Sequence, residues 1–178
     1  MQRFVFLDID GVLNSAQTAI DKRKEINQSD WPASYQNYFS RVAFDIPSPN
    51  KLQDLNWLHN HFLPEEVHYV LTSTWRLCTP LRDIRMLFYA SGFTGMLTYM
   101  TPVLRGRMRG GEIRQFLWRA VLPQDEYSFV IIDDESDMGP LADRLIQVDN
   151  QIGLEPWHVS AAIAMLSKPV EKKTWVSE

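Results

Sequence analysis

Three short apolar runs in the chain each end in acidic or hydroxyl side chains, the residue types that bind metal ions and phosphate groups. The first run, RFVFLD, is followed by a second aspartate only two positions after the first. A buried carboxylate is unfavourable unless it is paired or coordinates a metal, so we expect these aspartates at the rim of the fold. The polar residues at the three ends are Asp8 and Asp10 after the first run, Thr72 and Ser73 after the second, and Asp133, Asp134 and Asp137 after the third.

Several carboxylates that converge on one place need a cation. Two of them about 4 Å apart repel by roughly 4 kcal/mol at an effective dielectric constant of 20. All-oxygen ligands favour a hard ion, and a few carboxylates combined with phosphate and water suit Mg²⁺ better than Ca²⁺. No group of cysteines and histidines has the spacing of zinc ligands. The sequence therefore predicts a magnesium site.

The elements that must position these residues are short apolar strands that alternate with amphipathic helices. This alternation predicts a single doubly wound α/β domain with a parallel sheet. In such a sheet the ligand crevice lies outside the carboxyl ends of the strands, so adjacent strands would bring the three polar clusters together. The sequence predicts strands over 3–8, 68–71, 96–99, 129–133 and 145–149, and helices over 49–62, 80–90, 112–122 and 156–167.

A long segment, 15–50, separates the first strand from the first predicted helix and has no clear hydrophobic period. A connection of this length inside a compact domain is usually functional or partly disordered. We expect it to form an elaborated loop or a miniature cap on a domain that spans 1–168, followed by a tail at 169–178.

The composition is that of an ordinary globular protein: 178 residues, 45% hydrophobic and 22% charged. The net charge of −4 provides no global basic field for non-specific binding of a polyanion. The start of the chain lacks a signal-peptide pattern, no apolar run approaches the roughly 20 residues that cross a bilayer, and there is one cysteine. We therefore expect a cytoplasmic protein with no membrane association, and nothing in the sequence indicates an obligate protein partner.

The motif DIDGVL resembles the first motif of the haloacid dehalogenase (HAD) phosphohydrolases, and the resemblance extends over residues 4–149. Thr72 looks like the second motif of that family, and IIDDESD looks like the fourth. The third motif, a lysine or arginine near a helix start, best matches Arg109, with Arg105 and Arg107 as alternatives. The combination looks closest to the small, capless HAD domains that occur alone or in nucleic-acid repair proteins.

This resemblance implies a Rossmann-like HAD fold without a full-sized cap and a magnesium-dependent phosphohydrolase that acts through an aspartyl-phosphate. It implies that Asp8 attacks phosphorus, and that Asp10 protonates the leaving oxygen and then activates water. The implied magnesium ligands are Asp8, the main-chain carbonyl of Asp10, and Asp133, with Asp134 and Asp137 as further partners, directly or through water.

The remaining side chains of the implied site contact the substrate. Thr72 or Ser73 would hydrogen-bond the transferred phosphoryl group, and Arg109 would screen the anionic intermediate. Arg76 follows the second motif and is either a substrate-phosphate contact or a surface charge.

The substrate class stays open at this point. An open HAD site tends to accept large substrates, which favours a phosphorylated nucleic-acid end, whereas the acidic net charge favours a nucleotide phosphatase as the alternative. A non-catalytic interaction module on an inherited HAD fold is a third possibility, but both aspartates of the first motif are present.

Overall fold

The computed structural model describes residues 1–27, 47–104, 106, 108–122 and 125–170. Its centre is a five-stranded sheet in which every paired strand is parallel. The strands are β1 (Gln2–Leu7), β2 (Val67–Leu71), β3 (Leu97–Met100), β4 (Tyr127–Asp133) and β5 (Leu145–Gln147). Their order across the sheet, β3-β2-β1-β4-β5, places β1 in the middle and confirms the predicted doubly wound parallel α/β fold.

The described helices connect these strands. They are α1 (Ala16–Asn27), α2 (Pro49–His61), α3 (Leu81–Ala90), α4 (Arg109–Ala120) and α5 (Pro156–Leu166). Three short 3₁₀ helices lie at Pro64–Glu66, Thr74–Leu77 and Gly139–Arg144. In the described part of the chain no helix has the length and the apolar character needed to cross a membrane.

The strands are continuous apolar runs because both faces of the sheet are covered. On one face Val5 and Leu7 pack with side chains of α2, α3 and α5, among them Leu55 and Val159. On the other face Phe4 and Phe6 pack with α4 through side chains such as Ile113. Burial on both sides fixes the strand ends, and therefore fixes the polar residues that follow them.

The helix α1 is a correction to the sequence-based expectation of irregular structure from residue 15 onward. Its start is set by reciprocal bonds: the Ser15 amide donates to the Thr18 hydroxyl at 2.9 Å, and the Thr18 amide donates to the Ser15 hydroxyl at 3.2 Å. Among residues 16–24 only the side chain of Thr18 is buried. This part of the helix therefore has no apolar stripe, which is the sequence pattern that would have predicted it. The rest of the proposed cap, 28–46, lies outside the described residues, as does the tail beyond 170.

The beginning of α4 lies against the backbone that follows β4. A Cβ atom added to Gly110 would stand 2.0 Å from the carbonyl oxygen of Met138. The Gly110 amide also donates to the Asp137 carbonyl at 3.4 Å. The absent side chain thus allows the close approach that places Arg109 beside the end of β4.

Replacing Gly110 by alanine should displace the start of α4, because the new methyl group would overlap backbone that cannot rotate away. We expect a free-energy loss of about 1–3 kcal/mol, measured by urea unfolding, and a loss of any activity that depends on Arg109. Gln115→Ala on the same helix is the control and should change stability little. A Gly110→Ala protein as stable as the wild type would contradict this packing.

Candidate active site

The ends of β1, β2 and β4 meet at one edge of the sheet. Leu7 is in register with Leu71 of β2, and the Thr72 amide donates to the Leu7 carbonyl at 3.0 Å. The Asp8 amide donates to the Ile132 carbonyl of β4 at 3.1 Å. The polar residues at these three strand ends therefore converge, as the sequence predicts, and among the described residues Asp8, Asp10 and Asp134 line an open cleft of about 420 Å³.

Three carboxylates form a compact group at this edge. Asp8, Asp133 and Asp134 each offer one oxygen, and these oxygens lie within 4.8 Å of one another. Asp8 is 5% exposed and Asp133 is fully buried. A small all-oxygen donor set of this kind fits a hard divalent cation such as Mg²⁺.

Arg109 supplies the positive charge that these carboxylates face. Its guanidinium lies 3.3 Å from Asp8 Oδ2 and forms a second, hydrogen-bonded ion pair with Asp133. Burial disfavours the charged arginine, but the two aspartates outweigh burial and raise its pKa above the ordinary value. Arg109 thus contacts the carboxylates as the third-motif assignment expects, and the assignment itself stays a prediction. The alternatives Arg105 and Arg107 lie outside the described residues.

One arginine does not fully compensate the buried negative charge. Burial and the neighbouring Asp8 raise the pKa of Asp133 to about 7, although Arg109 acts in the opposite direction. Burial also raises the pKa of Asp8, against the effect of Arg109. A carboxyl whose pKa is higher in the folded than in the unfolded chain loses stabilising free energy as pH rises between the two values. A bound cation would offset this loss.

The two hydroxyls after β2 differ in their contacts. The Ser73 hydroxyl hydrogen-bonds the Asp8 carboxylate and lowers its pKa, and it also accepts from the Trp75 amide at 3.4 Å. The Thr72 hydroxyl is buried and has no hydrogen-bond partner among the described residues. An unsatisfied buried hydroxyl is costly, so Thr72 retains an unused donor at the strand end.

The structure places two predicted metal partners outside the carboxylate group. Asp10 is exposed, lines the cleft, and accepts a hydrogen bond from the indole of Trp75 at 2.9 Å. Asp137 accepts from the Arg109 amide at 3.0 Å and so holds the start of α4. Metal binding through the Asp10 main chain, or through water at Asp137, stays a prediction.

Arg76 differs from its sequence-based interpretation. Its side chain is 7% exposed and is paired with Glu112 of α4, which is also buried. The same guanidinium donates to the carbonyl of Ser73 at 2.8 Å and to that of Thr72. This burial contradicts the surface-charge alternative and lets Arg76 hold the end of β2, and the contact with substrate stays a prediction.

Sequence reasoning missed three residues that support the site: Trp75, Glu112 and Asn150. Glu112 accepts from the Leu104 amide at 2.9 Å in addition to pairing with Arg76. Asn150 lines the cleft and hydrogen-bonds the Asp134 carboxylate. Glu112 lies three residues after Arg109 and therefore on the same face of the helix. This spacing could have predicted that Glu112 lies near the site. Trp75 lies three residues after Thr72 of the second motif, but an indole carries no signal for phosphate or metal chemistry, and Asn150 belongs to no motif.

Gly11 explains how Asp134 fits beside the first motif. Its φ of +83° is a left-handed conformation that favours glycine. A Cβ atom here would lie 2.4–2.8 Å from the carboxylate atoms of Asp134. Glycine after Asp10 therefore allows both the turn and the close approach of the third carboxylate.

A parallel sheet whose central strands end in these aspartates, with an arginine from a following helix between them, defines a HAD-type domain. The family model described as "HAD domain in Swiss Army Knife RNA repair proteins" matches residues 4–159, and the chain belongs to this family. No curated protein and no solved structure was found to match the chain.

Addition of Mg²⁺ to metal-free protein should raise the melting temperature, because a ligand that binds only the folded state stabilises it. The rise should be larger at about pH 8 than at about pH 5.5, since the cation must displace protons from carboxyls at the lower pH. Because the pKa of Asp133 is about 7, this carboxyl is mostly protonated at pH 5.5 and mostly ionised at pH 8. Thermal melts at both pH values measure the effect.

Asp133→Asn should remove most of this magnesium response. The matched control Asp143→Asn changes an exposed aspartate outside the cleft and should retain the response. An unchanged melting temperature of the wild type at the higher pH would contradict a carboxylate metal site.

Proposed function

We propose that the protein is a magnesium-dependent phosphohydrolase that cleaves phosphate monoesters through an aspartyl-phosphate. The observation that carries this proposal is the buried Asp8 carboxylate at the end of the central strand, in an ion pair with Arg109. A carboxylate held between a cation and a hydroxyl, and facing an open cleft, is arranged as a nucleophile. Membership of the HAD family supports the same reaction class.

The residues that would hold Mg²⁺ are Asp8, Asp133 and Asp134, and the ion would neutralise and orient the phosphate oxygens. Side chains of the protein would supply the remaining contributions to the proposed reaction. Arg109 keeps a positive charge next to Asp8 at any ordinary pH, so it offsets the negative charge that develops during transfer. The unused hydroxyl of Thr72 is the donor for a phosphoryl oxygen.

The reaction has two displacements. An oxygen of Asp8 forms a bond to phosphorus, the bond from phosphorus to the ester oxygen breaks, and Asp10 gives its proton to that oxygen, which leaves as an alcohol. Asp10 then takes a proton from water, whose oxygen attacks phosphorus and releases inorganic phosphate and the Asp8 carboxylate. In the overall reaction, one phosphate ester and one water are converted into one alcohol and one inorganic phosphate.

Asp8→Asn should abolish turnover while the fold persists, because the amide keeps the shape of the side chain but cannot serve as nucleophile. We expect kcat to fall by about three orders of magnitude or more. Release of inorganic phosphate from a phosphate ester with Mg²⁺ measures it, and circular dichroism checks the fold. Asp143→Asn is the matched control. Near-wild-type turnover by Asp8→Asn would disprove the mechanism.

For the substrate we propose a phosphorylated nucleic-acid end, with a nucleotide as the alternative. The name of the matching family refers to RNA repair proteins, and the cleft in the described part of the chain is open. An open cleft admits a polymer end, whereas a nucleotide needs only the residues around Asp8. A non-catalytic role is less well supported, because the ion pairs and the carboxylate group that the proposed mechanism requires are present.

The two substrate classes should differ in their response to salt. A phosphorylated oligonucleotide that makes several phosphate contacts releases counterions, so its kcat/KM should fall as salt rises, whereas that of a mononucleotide should change little. Steady-state kinetics of a 3′-phosphorylated oligoribonucleotide and the matching mononucleotide at two salt concentrations test this. A higher kcat/KM for the mononucleotide at low salt would exclude the nucleic-acid end as the preferred substrate.

A further inference from the structure

We propose that Trp75 is a positioning residue that orients the carboxyl of Asp10 for proton transfer. The inference rests on the proposed hydrolase function. Its basis is the hydrogen bond from the indole Nε1–H of Trp75 to Asp10 Oδ2, at 2.9 Å. The two residues are 65 positions apart in the chain, so this bond ties the loop after β1 to the turn after β2.

Trp75 is itself firmly held. It lies in the 3₁₀ helix Thr74–Leu77, which begins where the Ser73 hydroxyl accepts from the Trp75 amide. The Trp75 carbonyl accepts from the Thr79 amide at 2.9 Å. The half-buried indole packs against the core on the face of the sheet that carries α2, α3 and α5. The donor is therefore fixed by both its backbone and its ring.

Asp10, by contrast, is an exposed side chain on a loop. The tight turn that follows it, in which the Gly11 amide donates to the Asn14 carbonyl at 2.8 Å, fixes its backbone. A side chain free in solvent samples several rotamers, and fixing one of them has an entropic cost. The indole bond selects the rotamer that lines the cleft beside Asp8, so this cost is met before substrate binds.

The bond also distinguishes the two oxygens of Asp10. An indole N–H can only donate, so Oδ2 must act as acceptor. The indole therefore bonds Oδ2 and leaves Oδ1 available to the leaving oxygen and to water. Trp75 thus determines both the orientation of the carboxyl and the oxygen that reacts.

This role predicts an effect that depends on the leaving group. An alkoxide is a poor leaving group and needs a proton, whereas 4-nitrophenolate leaves without one. Trp75→Phe keeps the packing of the ring but removes the donor. Its kcat/KM should fall about tenfold for an alkyl phosphate and remain near the wild-type value for 4-nitrophenyl phosphate, since kcat/KM reports only steps up to departure of the leaving group.

The second displacement provides an independent readout in the same experiment. Activation of water also requires Asp10, so kcat for 4-nitrophenyl phosphate should fall in Trp75→Phe although kcat/KM does not. Hydrolysis of the phosphorylated enzyme then limits turnover, and stopped-flow absorbance should show a burst of nitrophenolate close to one equivalent of enzyme. A purely structural defect lowers kcat/KM for both esters alike and produces no such burst.

Trp157→Phe is a chemically matched control. The indole of Trp157 donates to the Glu155 carboxylate at 3.0 Å, and neither residue lines the cleft. This variant loses the same type of bond and should keep the wild-type kinetics with both esters.

A measurement on the indole itself does not depend on how Trp75→Phe folds. The six tryptophans give six indole N–H signals in a ¹⁵N spectrum, and Asp10→Ala should shift one of them far more than the others and speed its exchange with water. Equal loss of kcat/KM with both esters, no loss with either, or indole signals insensitive to Asp10→Ala would overturn the role of Trp75. A wild-type protein that hydrolyses neither ester with Mg²⁺ would overturn the proposed function and this inference with it.

Discussion

The arrangement of the site depends on one electrostatic constraint: two carboxylates, Asp8 and Asp133, are buried side by side at the carboxyl edge of a parallel sheet. Burial raises both pKa values, the neighbouring Asp8 adds to the rise at Asp133, and Arg109 offsets only part of the effect. The close packing of Gly110 on the backbone at Met138 is what allows Arg109 to reach them. The close packing at the start of α4 thus serves to bring a positive charge to this pair of carboxylates.

A second buried ion pair connects the elements that carry the site. Arg76 and Glu112 are each less than a tenth exposed, and they join the end of β2 to α4. Desolvation offsets much of the attraction in such a pair, so its contribution to stability is small compared with the penalty for removing one partner. The pair instead fixes the relative position of two parts of the site. Glu112 lies one helical turn from Arg109, and Arg76 donates to the carbonyls of Thr72 and Ser73.

The sequence predicted the parts of the structure that have a local signal. Apolar runs predicted the strands, and a polar residue directly after each strand predicted that Asp8, Thr72 and Asp133 would meet, because the carboxyl ends of neighbouring parallel strands share an edge. The helix α1 was missed because it buries almost nothing over 16–24. The bond between Trp75 and Asp10 could not be predicted, since it depends on the 3₁₀ helix Thr74–Leu77, which no hydrophobic pattern indicated.

In the proposed mechanism Asp8 and Asp10 have different roles, although they are identical side chains two positions apart, and their environments differ accordingly. β1 ends at Leu7, so both residues follow the strand, but Asp8 is buried against Arg109 and Ser73, whereas Asp10 is exposed and receives a neutral indole donor. A cation beside a carboxylate stabilises its ionised form, which suits a nucleophile. A neutral donor on one oxygen leaves the other free to gain and lose a proton, which suits an acid and base. The DxD spacing places Asp8 directly after the end of β1 and Asp10 two residues further into the loop, and this step out of the sheet separates the two environments.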